Sequence, residues 1–346
     1  MVRGVSTRTA YMTDRRMLAH DPGAGHPERA ARLVVVQARV EAEPGLVALA
    51  ARPATDEELH RTHATQLITA VDASAGRPSV RFDADTSTSA ASSEAARLAA
   101  GGLIELCDAV LAGQVSNGVA LVRPPGHHAE RDRAMGFCFY NNVAVAAHAL
   151  RARGVERVAI IDWDLHHGNG TQHIFEDDPH VLYVSTHQYP FYPGTGAATE
   201  VGRGAGAGRT LNVPCAAGFG DAELARVWDE LIEPVVRQFA PQFVLVSAGF
   251  DCDGRDPLGG LTLSPAGIAR MARSVVRLAE ECAGGRIAVV LEGGYDLDAL
   301  VDGTGVLLDA LEGKRAKLAP LETGDAHRAD GVIARVRAAQ AAYWHL

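Results

Sequence analysis

Asp162, Asp164 and His166 recur at a spacing of two behind the apolar run 157–161. On an extended chain they share one face, with Trp163 and Leu165 pointing the other way. Asp164 and His166 could then chelate one cation, and Asp251, behind a second apolar run, could complete a set of three protein ligands. Such a set, with positions left for water and substrate, is the pattern of a catalytic metal. The bland alternative is a buried polar ladder of Asp and His bonding to turns. An Asp-His-Asp set carries two anionic ligands and pulls less on a bound water than an all-histidine set, so it needs a separate base. His127 and His128, after the rigid turn Pro124-Pro125-Gly126, are the obvious source. Adjacent side chains diverge, so one can face a substrate while the other is held deeper by a carboxylate such as Asp162. Tyr295 adds a phenol that can donate to a developing oxyanion, and Gly293-Gly294 before it permits close backbone approach. Taken singly, either histidine reads as a packed core residue, and a lone Gly-Gly-Tyr as a turn.

What joins these residues is where they fall along the chain. Short runs rich in Val and Ile (118–122, 157–162, 181–185, 243–247 and 286–291) read as buried strands. Helical spacing lies between them. Ser264 reads as an N-cap with Pro265 at the first helical position, and Ile268, Met271, Ala272, Val275 and Val276 form one face. Asp221 is expected to cap a second helix with the face Leu224, Val227, Trp228, Leu231 and Val235. This alternation predicts an α/β fold with a parallel sheet and helices on both faces. Ligands of such sheets bind at the carboxyl ends of the strands, and the polar residues above follow four of the five runs.

Composition narrows the function classes. The 346 residues are 47% hydrophobic and 22% charged, as in globular proteins, with a formal net charge of −9. No basic block exists to neutralise phosphates, which argues against a direct nucleic-acid partner. No apolar run reaches the length of a membrane span, and the first thirty residues lack a signal-peptide core. Cys107, Cys138, Cys215, Cys252 and Cys282 form no CxxC pair. The expectation is a cytoplasmic protein, with no membrane partner. The glycine-rich stretch 202–208 contains no GxGxxG and precedes a strand, the Ser247 run lacks the first glycine of a nucleophile elbow, and HExxH is absent.

Together, RPPGHHAE at 123–130, GFCFYNN at 136–142, DWDLHHGNGTQ at 162–172, YPGTG at 192–196, SAGFDCDGRDPLGG at 247–260 and LEGGY at 291–295 resemble the histone deacetylase and acetylpolyamine amidohydrolase family. The similarity is closest to its class II branch and bacterial relatives. It implies the arginase–deacetylase fold, a three-layer sandwich with an eight-stranded parallel sheet flanked by helices. One deacetylase domain over 1–346 is expected, with a core of about 9–315 and a C-terminal segment of unassigned role. The resemblance makes Asp164, His166 and Asp251 the ligands of one Zn2+ per chain, although Fe2+ suits an oxygen-rich set too. It makes His128 the general base, pairs His127 with Asp162, and gives Tyr295 the amide carbonyl. Asn169 stands beside the second histidine, where class I enzymes carry an aspartate, so the pKa of His128 is expected to be lower than theirs. Phe137 and Tyr192 match the walls of an acyl-lysine tunnel, and Gly136 lets the substrate stem pass close to backbone. Arg32, in the early motif from His26, matches a position lining an internal acetate-exit region. A structural K+ is implied at Asp162, Asp164, His166, Ser185 and Thr186. The substrate-clamping rim acid is Asp83 or Asp85.

The implied reaction is zinc-dependent hydrolysis of an N-acyl amide, with acetyl-lysine peptide or protein, or a related acetylated amine, as substrate. Polyamine-selective relatives carry a glutamate at the position of Leu258, whose neutrality disfavours strict acetylspermidine selectivity. A negative chain still attracts cationic substrates. A silent acyl-lysine binding protein would have lost a ligand or the tyrosine, and a two-manganese arginase-like enzyme would need further bridging carboxylates; neither condition is met. The sequence leaves oligomeric state open.

Overall fold

The computed structural model describes residues 8–314 and 319–346; the expected core boundary near 315 lies outside the described residues. Among the described residues ten strands occur in chain order: β1 Thr9–Met12, β2 Val47–Leu49, β3 Val80–Arg81, β4 Ser87–Thr88, β5 Asn117–Ala120, β6 Val158–Asp162, β7 Val181–Gln188, β8 Thr210–Cys215, β9 Phe243–Ala248 and β10 Ile287–Leu291. Eight form one sheet in the order β2-β1-β5-β10-β9-β6-β7-β8, with every pairing parallel. The antiparallel pair β3–β4 stands apart. Every residue of β5 to β10 within the large sheet is buried, so both of its faces are covered. That two-sided burial is why these strands are continuous apolar runs rather than alternating ones.

The helices fall into two groups. Ser92–Leu111 packs with Asn142–Ala152, whereas Pro265–Ala283 packs with Leu297–Leu311, which also meets Ala30–Glu41. The arrangement is the arginase–deacetylase α/β fold expected from the sequence. No helix among the described residues is long and apolar enough to cross a membrane.

Local signals worked where capping chemistry was simple. The Ser264 side chain accepts from Ala266 N at 3.1 Å, Pro265 opens the helix, and Gly284 closes it with φ +61°. Asp221 is a correction: it is the first helical residue, and Gly220 is the N-cap. The Asp221 carboxylate is used across the fold instead, accepting from Ser264 N, Ser264 Oγ and Glu322 N. The C-terminal segment returns to the sheet. Helix Asp330–Gln340 packs on edge strand β8, where Gln340 Nε2 donates to Thr210 O at 2.8 Å and Trp344 Nε1 donates to Gly208 O. An edge covered in this way is closed to further strand pairing.

Candidate active site

The four central neighbours β5, β10, β9 and β6 each send a loop from their carboxyl ends into one place. After β5 come His127 and His128, after β10 Tyr295, after β9 Asp251, and after β6 Asp164 and His166. Adjacent parallel strands in register place these loops side by side; Asp162 on β6 lies opposite Ser247 on β9 and Ser185 on β7.

Asp164, His166 and Asp251 form the one group among the described residues whose ligand atoms converge as a metal site would require. His166 Nδ1 lies 3.2 Å from Asp164 Oδ1 and 3.1 Å from Asp251 Oδ2. A tetrahedral zinc with bonds of about 2.0–2.1 Å separates its ligand atoms by roughly 3.3 Å, so the spacing fits. Backbone donors occupy the other oxygens, Gly293 N on Asp164 Oδ2 and Leu165 N on Asp251 Oδ1. Each carboxylate therefore presents one oxygen to the shared point. A side chain at Gly293 would collide with Asp251 and Asp164, which is why the loop after β10 needs glycine there. Burial, reinforced by the neighbouring charge of Asp164, pushes the Asp251 carboxyl up to about 7. Two carboxylates sealed from water gain most from a cation.

The expected extended run through Asp162, Asp164 and His166 is corrected. β6 ends at Asp162. Asp162 Oδ1 accepts from Asp164 N, and Asp164 Oδ1 from His166 N, so the chain leaves the strand through two successive side-chain-to-backbone turns. The short polar side chains that serve as ligands also bend the backbone.

Both tandem histidines are anchored through Nδ1. His127 Nδ1 donates to Asp162 Oδ2 at 3.0 Å, and His128 Nδ1 lies 2.8 Å from Asn169 Oδ1. Nε2 of His127 reaches within 3.8 Å of Asp164 Oδ1. Their environments drive them apart. Burial opposes charge on His127, but the carboxylates of Asp164 and Asp162 outweigh it and raise its pKa to about 10. Burial, with the neighbouring charges of His127 and His166, holds His128 well below the ordinary histidine value. One charged and one neutral imidazole, with centroids 4.0 Å apart and ring planes tilted by 44°, is the arrangement an acid–base pair requires. Beneath them, Glu292 accepts from Gly126 N, His127 N and Ser247 Oγ, fixing the backbone of the histidine turn.

A cavity of about 230 Å³ opens over this floor, lined by Asp85, His128, Gly136, Phe137, His166, Phe191, Tyr192, Leu258 and Tyr295. The expected tunnel residues Gly136, Phe137, Tyr192 and Leu258 are all in its wall. Of the two candidate rim acids, Asp85 lines it. Gly136 has φ +57°, and a Cβ there would strike the His128 ring. Phe137 also sits at φ +68°, a conformation costing a non-glycine residue about 1–2 kcal/mol, and its N–H donates to Thr86 Oγ1 at 3.0 Å. Arg32 lies outside the cavity wall. It is buried beneath Tyr295, bonded to Glu28 and to the carbonyls of Glu292 and Gly294. Ser185 and Thr186 are buried on β7; Ser185 Oγ meets His187 Nδ1, and Tyr183 donates to Asp162.

Sequence reasoning missed four contributors: Phe191, stacked on His166 with centroids 5.6 Å apart, and Glu292, Glu28 and Asp256. Asp256 accepts from Tyr295 N at 2.6 Å. Glu292 and Glu28 lie within the motifs already singled out, so complete burial of a charge-bearing type inside an apolar edge was their available signal. Cavity size alone misleads: an apolar cavity of about 820 Å³ beside the C-terminal helix has no acid, histidine or cysteine in its lining.

Residues 26–311 match the histone deacetylase domain model. "Histone deacetylase 15" of Arabidopsis thaliana is 42% identical over 321 residues, spanning 89% of this chain and 57% of its own length. "Probable deacetylase" of Archaeoglobus fulgidus is 40% identical over 303 residues, spanning 86% and 82%. Human "Polyamine deacetylase HDAC10" is 40% identical, spanning 97% of this chain and 51% of its own length. The chain thus spans little more than half of the plant and human relatives. The solved structure titled "Crystal Structure of HDA15 HD domain" superposes with a TM-score of 0.90 at 39% identity, covering 98% of this chain and 96% of that one. The chain belongs to the histone deacetylase family.

Proposed function

We propose that this chain is a zinc-dependent amidohydrolase that removes acetyl groups from acetyl-lysine or a related acylated amine. The observation that carries the reading is the meeting of a convergent Asp-His-Asp cluster, a neutral histidine and a phenol at the floor of one slender aromatic cavity. Zn2+ held by Asp164, His166 and Asp251 would supply a Lewis acid at the amide carbonyl and lower the pKa of a water. His128, neutral with Nδ1 tied to Asn169, takes a proton from the attacking water at Nε2. Tyr295 donates its phenolic hydrogen to the carbonyl oxygen as negative charge develops there. Burial holds the Tyr295 phenol above its usual range, so it keeps the proton it must share. The proton then passes from histidine to the departing amine. His127, charged against Asp162 and Asp164, contributes a fixed positive group beside the oxyanion.

Phe137, Phe191 and Tyr192 admit a thin aliphatic stem, and the neutral Leu258 at the wall favours acetyl-lysine peptides over acetylated polyamines. Packing of Asp330–Gln340 on β8 supports reading 1–346 as one catalytic domain. The proposal retains K+ near Asp162, Ser185 and Thr186. Both Asp162 oxygens already accept hydrogen bonds, so backbone carbonyls would carry much of that site. The test is steady-state hydrolysis of an acetyl-lysine peptide, acetylputrescine and acetylspermidine by zinc-loaded and metal-stripped protein. Metal-dependent turnover with the peptide ahead supports the reading; polyamines ahead overturn the substrate preference, and turnover independent of metal overturns the mechanism.

A further inference from the structure

Glu130, the last residue of the RPPGHHAE motif, is buried and lies two residues beyond the histidine pair. Its Oε1 accepts from Asn169 Nδ2 at 2.6 Å, while Asn169 Oδ1 faces His128 Nδ1 at 2.8 Å. Asn169 Nδ2 also points at His128 O and Met135 Sδ. None of these three neighbours can donate, so only the amino end of the amide satisfies that side. The carbonyl end must then face His128. A carbonyl oxygen only accepts, so His128 must carry its hydrogen on Nδ1 and leave the Nε2 lone pair free.

An aspartate in place of Asn169 would accept at both ends and fix the tautomer unaided. An asparagine can flip, and in the flipped state its NH2 would face His128 Nδ1 and favour hydrogen on Nε2, the wrong nitrogen for a base. On the far side of Glu130, His173 Nδ1 shares the same Oε1 at 2.9 Å. Its side chain is 37% exposed, so the row His128–Asn169–Glu130–His173 runs from the cavity floor to the surface. Glu130 raises the His173 pKa, so this outer partner is biased towards the cation that pins the carboxylate in place.

We infer that Glu130 is a positioning residue which locks the Asn169 amide in the one orientation that makes His128 a base at Nε2. The inference rests on the reading of His128 as the base, and two readouts separate failure of one from failure of the other. The first is a mutant cycle on the zinc-loaded protein. Glu130→Ala lowers kcat by about tenfold, a usual size for losing such a supporting contact, with KM little changed. Glu130→Gln, which keeps an acceptor, restores most of that loss. In an Asn169→Asp background the sign inverts: two carboxylates would be crowded together, so Glu130→Ala raises kcat. A merely structural Glu130 would give losses in both backgrounds.

The second readout is 15N histidine NMR of the zinc-loaded chain, with thermal unfolding as the check on folding. His128 appears as the Nδ1–H tautomer in the parent and as a mixture in Glu130→Ala. An unchanged tautomer in Glu130→Ala, or a loss of the same sign in both backgrounds, overturns the inference. A tautomer shift with unaltered turnover leaves Glu130 as the lock and counts against His128 as the base.

Discussion

The guanidinium of Arg32 lies 4.9 Å from the centroid of the Tyr295 ring, and its nitrogens bond the carbonyls of Glu292 and Gly294 and the carboxylate of Glu28. A single planar fork therefore holds the backbone on which the phenol is mounted. Glu28, in turn, is shared with Arg123, so the network has two guanidinium groups around one buried carboxylate. Burial opposes the Glu28 charge, but His20, Arg123 and Arg32 prevail and keep it well below the usual carboxylate range. Arg32→Lys keeps the charge and loses the fork. It should lower stability by about 1–3 kcal/mol through carbonyls left unpaired, and should lower kcat more than KM because Tyr295 is released from its mount. Urea titration and steady-state kinetics check this; full activity in Arg32→Lys would mean that Tyr295 is positioned by Asp256 alone.

Tyr295→Phe deletes one hydroxyl and leaves the ring against Arg32 and Phe137, whose centroid is 6.1 Å away. Removing one oxyanion donor costs about 10²–10³ in kcat. The thermal midpoint should move by only a few degrees. Wild-type turnover in this variant would remove the phenol from the mechanism.

Metal removal separates catalysis from fold. The cluster is buried and anionic but occupies loops, whereas the core strands close without it. Chelation should abolish turnover, lower the melting temperature and leave the far-ultraviolet circular dichroism spectrum unchanged. Restoring one equivalent of Zn2+ per chain should recover both losses, with about 4 kcal/mol of stabilisation when free zinc stands a thousandfold above Kd. Asp251→Asn should reduce zinc affinity without this recovery. Activity that survives exhaustive chelation would sink the metal assignment.

Stability should fall with acid through buried histidines that take no part in the proposed reaction. His63 accepts from Asn141 N at Nε2 and donates from Nδ1 to Glu130 O, so it is held as the neutral ring. Burial lowers its pKa from 6.5 to about 4, and burial does the same for His187. The unfolded chain takes up protons below pH 6.5 that the folded chain refuses until about pH 4. The stability these rings contribute is therefore complete above pH 6.5 and is lost as pH falls through that window. His63 alone accounts for on the order of 3 kcal/mol. Denaturant midpoints at pH 7.5, 6 and 5 check it; a flat profile would mean that these rings open to solvent.

Legibility in the sequence followed periodicity and chemistry. Runs such as Phe243–Ala248 and Ile287–Leu291 were readable because both faces of the sheet are covered, which leaves unbroken Val and Ile. Thr9–Met12 and Val47–Leu49 were not, since a strand of three or four residues offers no period to detect, and the second is partly exposed at the sheet edge. The polar residues gathered at the candidate site were legible because they interrupt apolar runs at strand ends, whereas Gly136, Phe137 and Tyr192 followed only from the family resemblance. Asp221 failed because a carboxylate before a helical pattern usually caps its own helix, and here it bonds residues 43 and 101 positions away. Phe191 gave no signal beyond being aromatic; only the fold sets it against His166. Long-range partners of that kind are a property of the topology.

The proposed substrate preference rests on Leu258. It lines the cavity wall, and Asp85, which is exposed, is the one carboxylate in that lining. Leu258→Glu would add a second negative charge within reach of the distal amine of an acetylated polyamine. An added attraction of about 1 kcal/mol, as expected between partly solvated charges, corresponds to roughly fivefold in kcat/KM. The ratio of acetylspermidine to acetyl-lysine peptide turnover should therefore rise by about that factor at low ionic strength. It should shrink again as salt screens the pair. A ratio unchanged by the substitution, or a gain insensitive to salt, would show that the distal amine does not reach the Leu258 wall and that selectivity is set elsewhere on the rim.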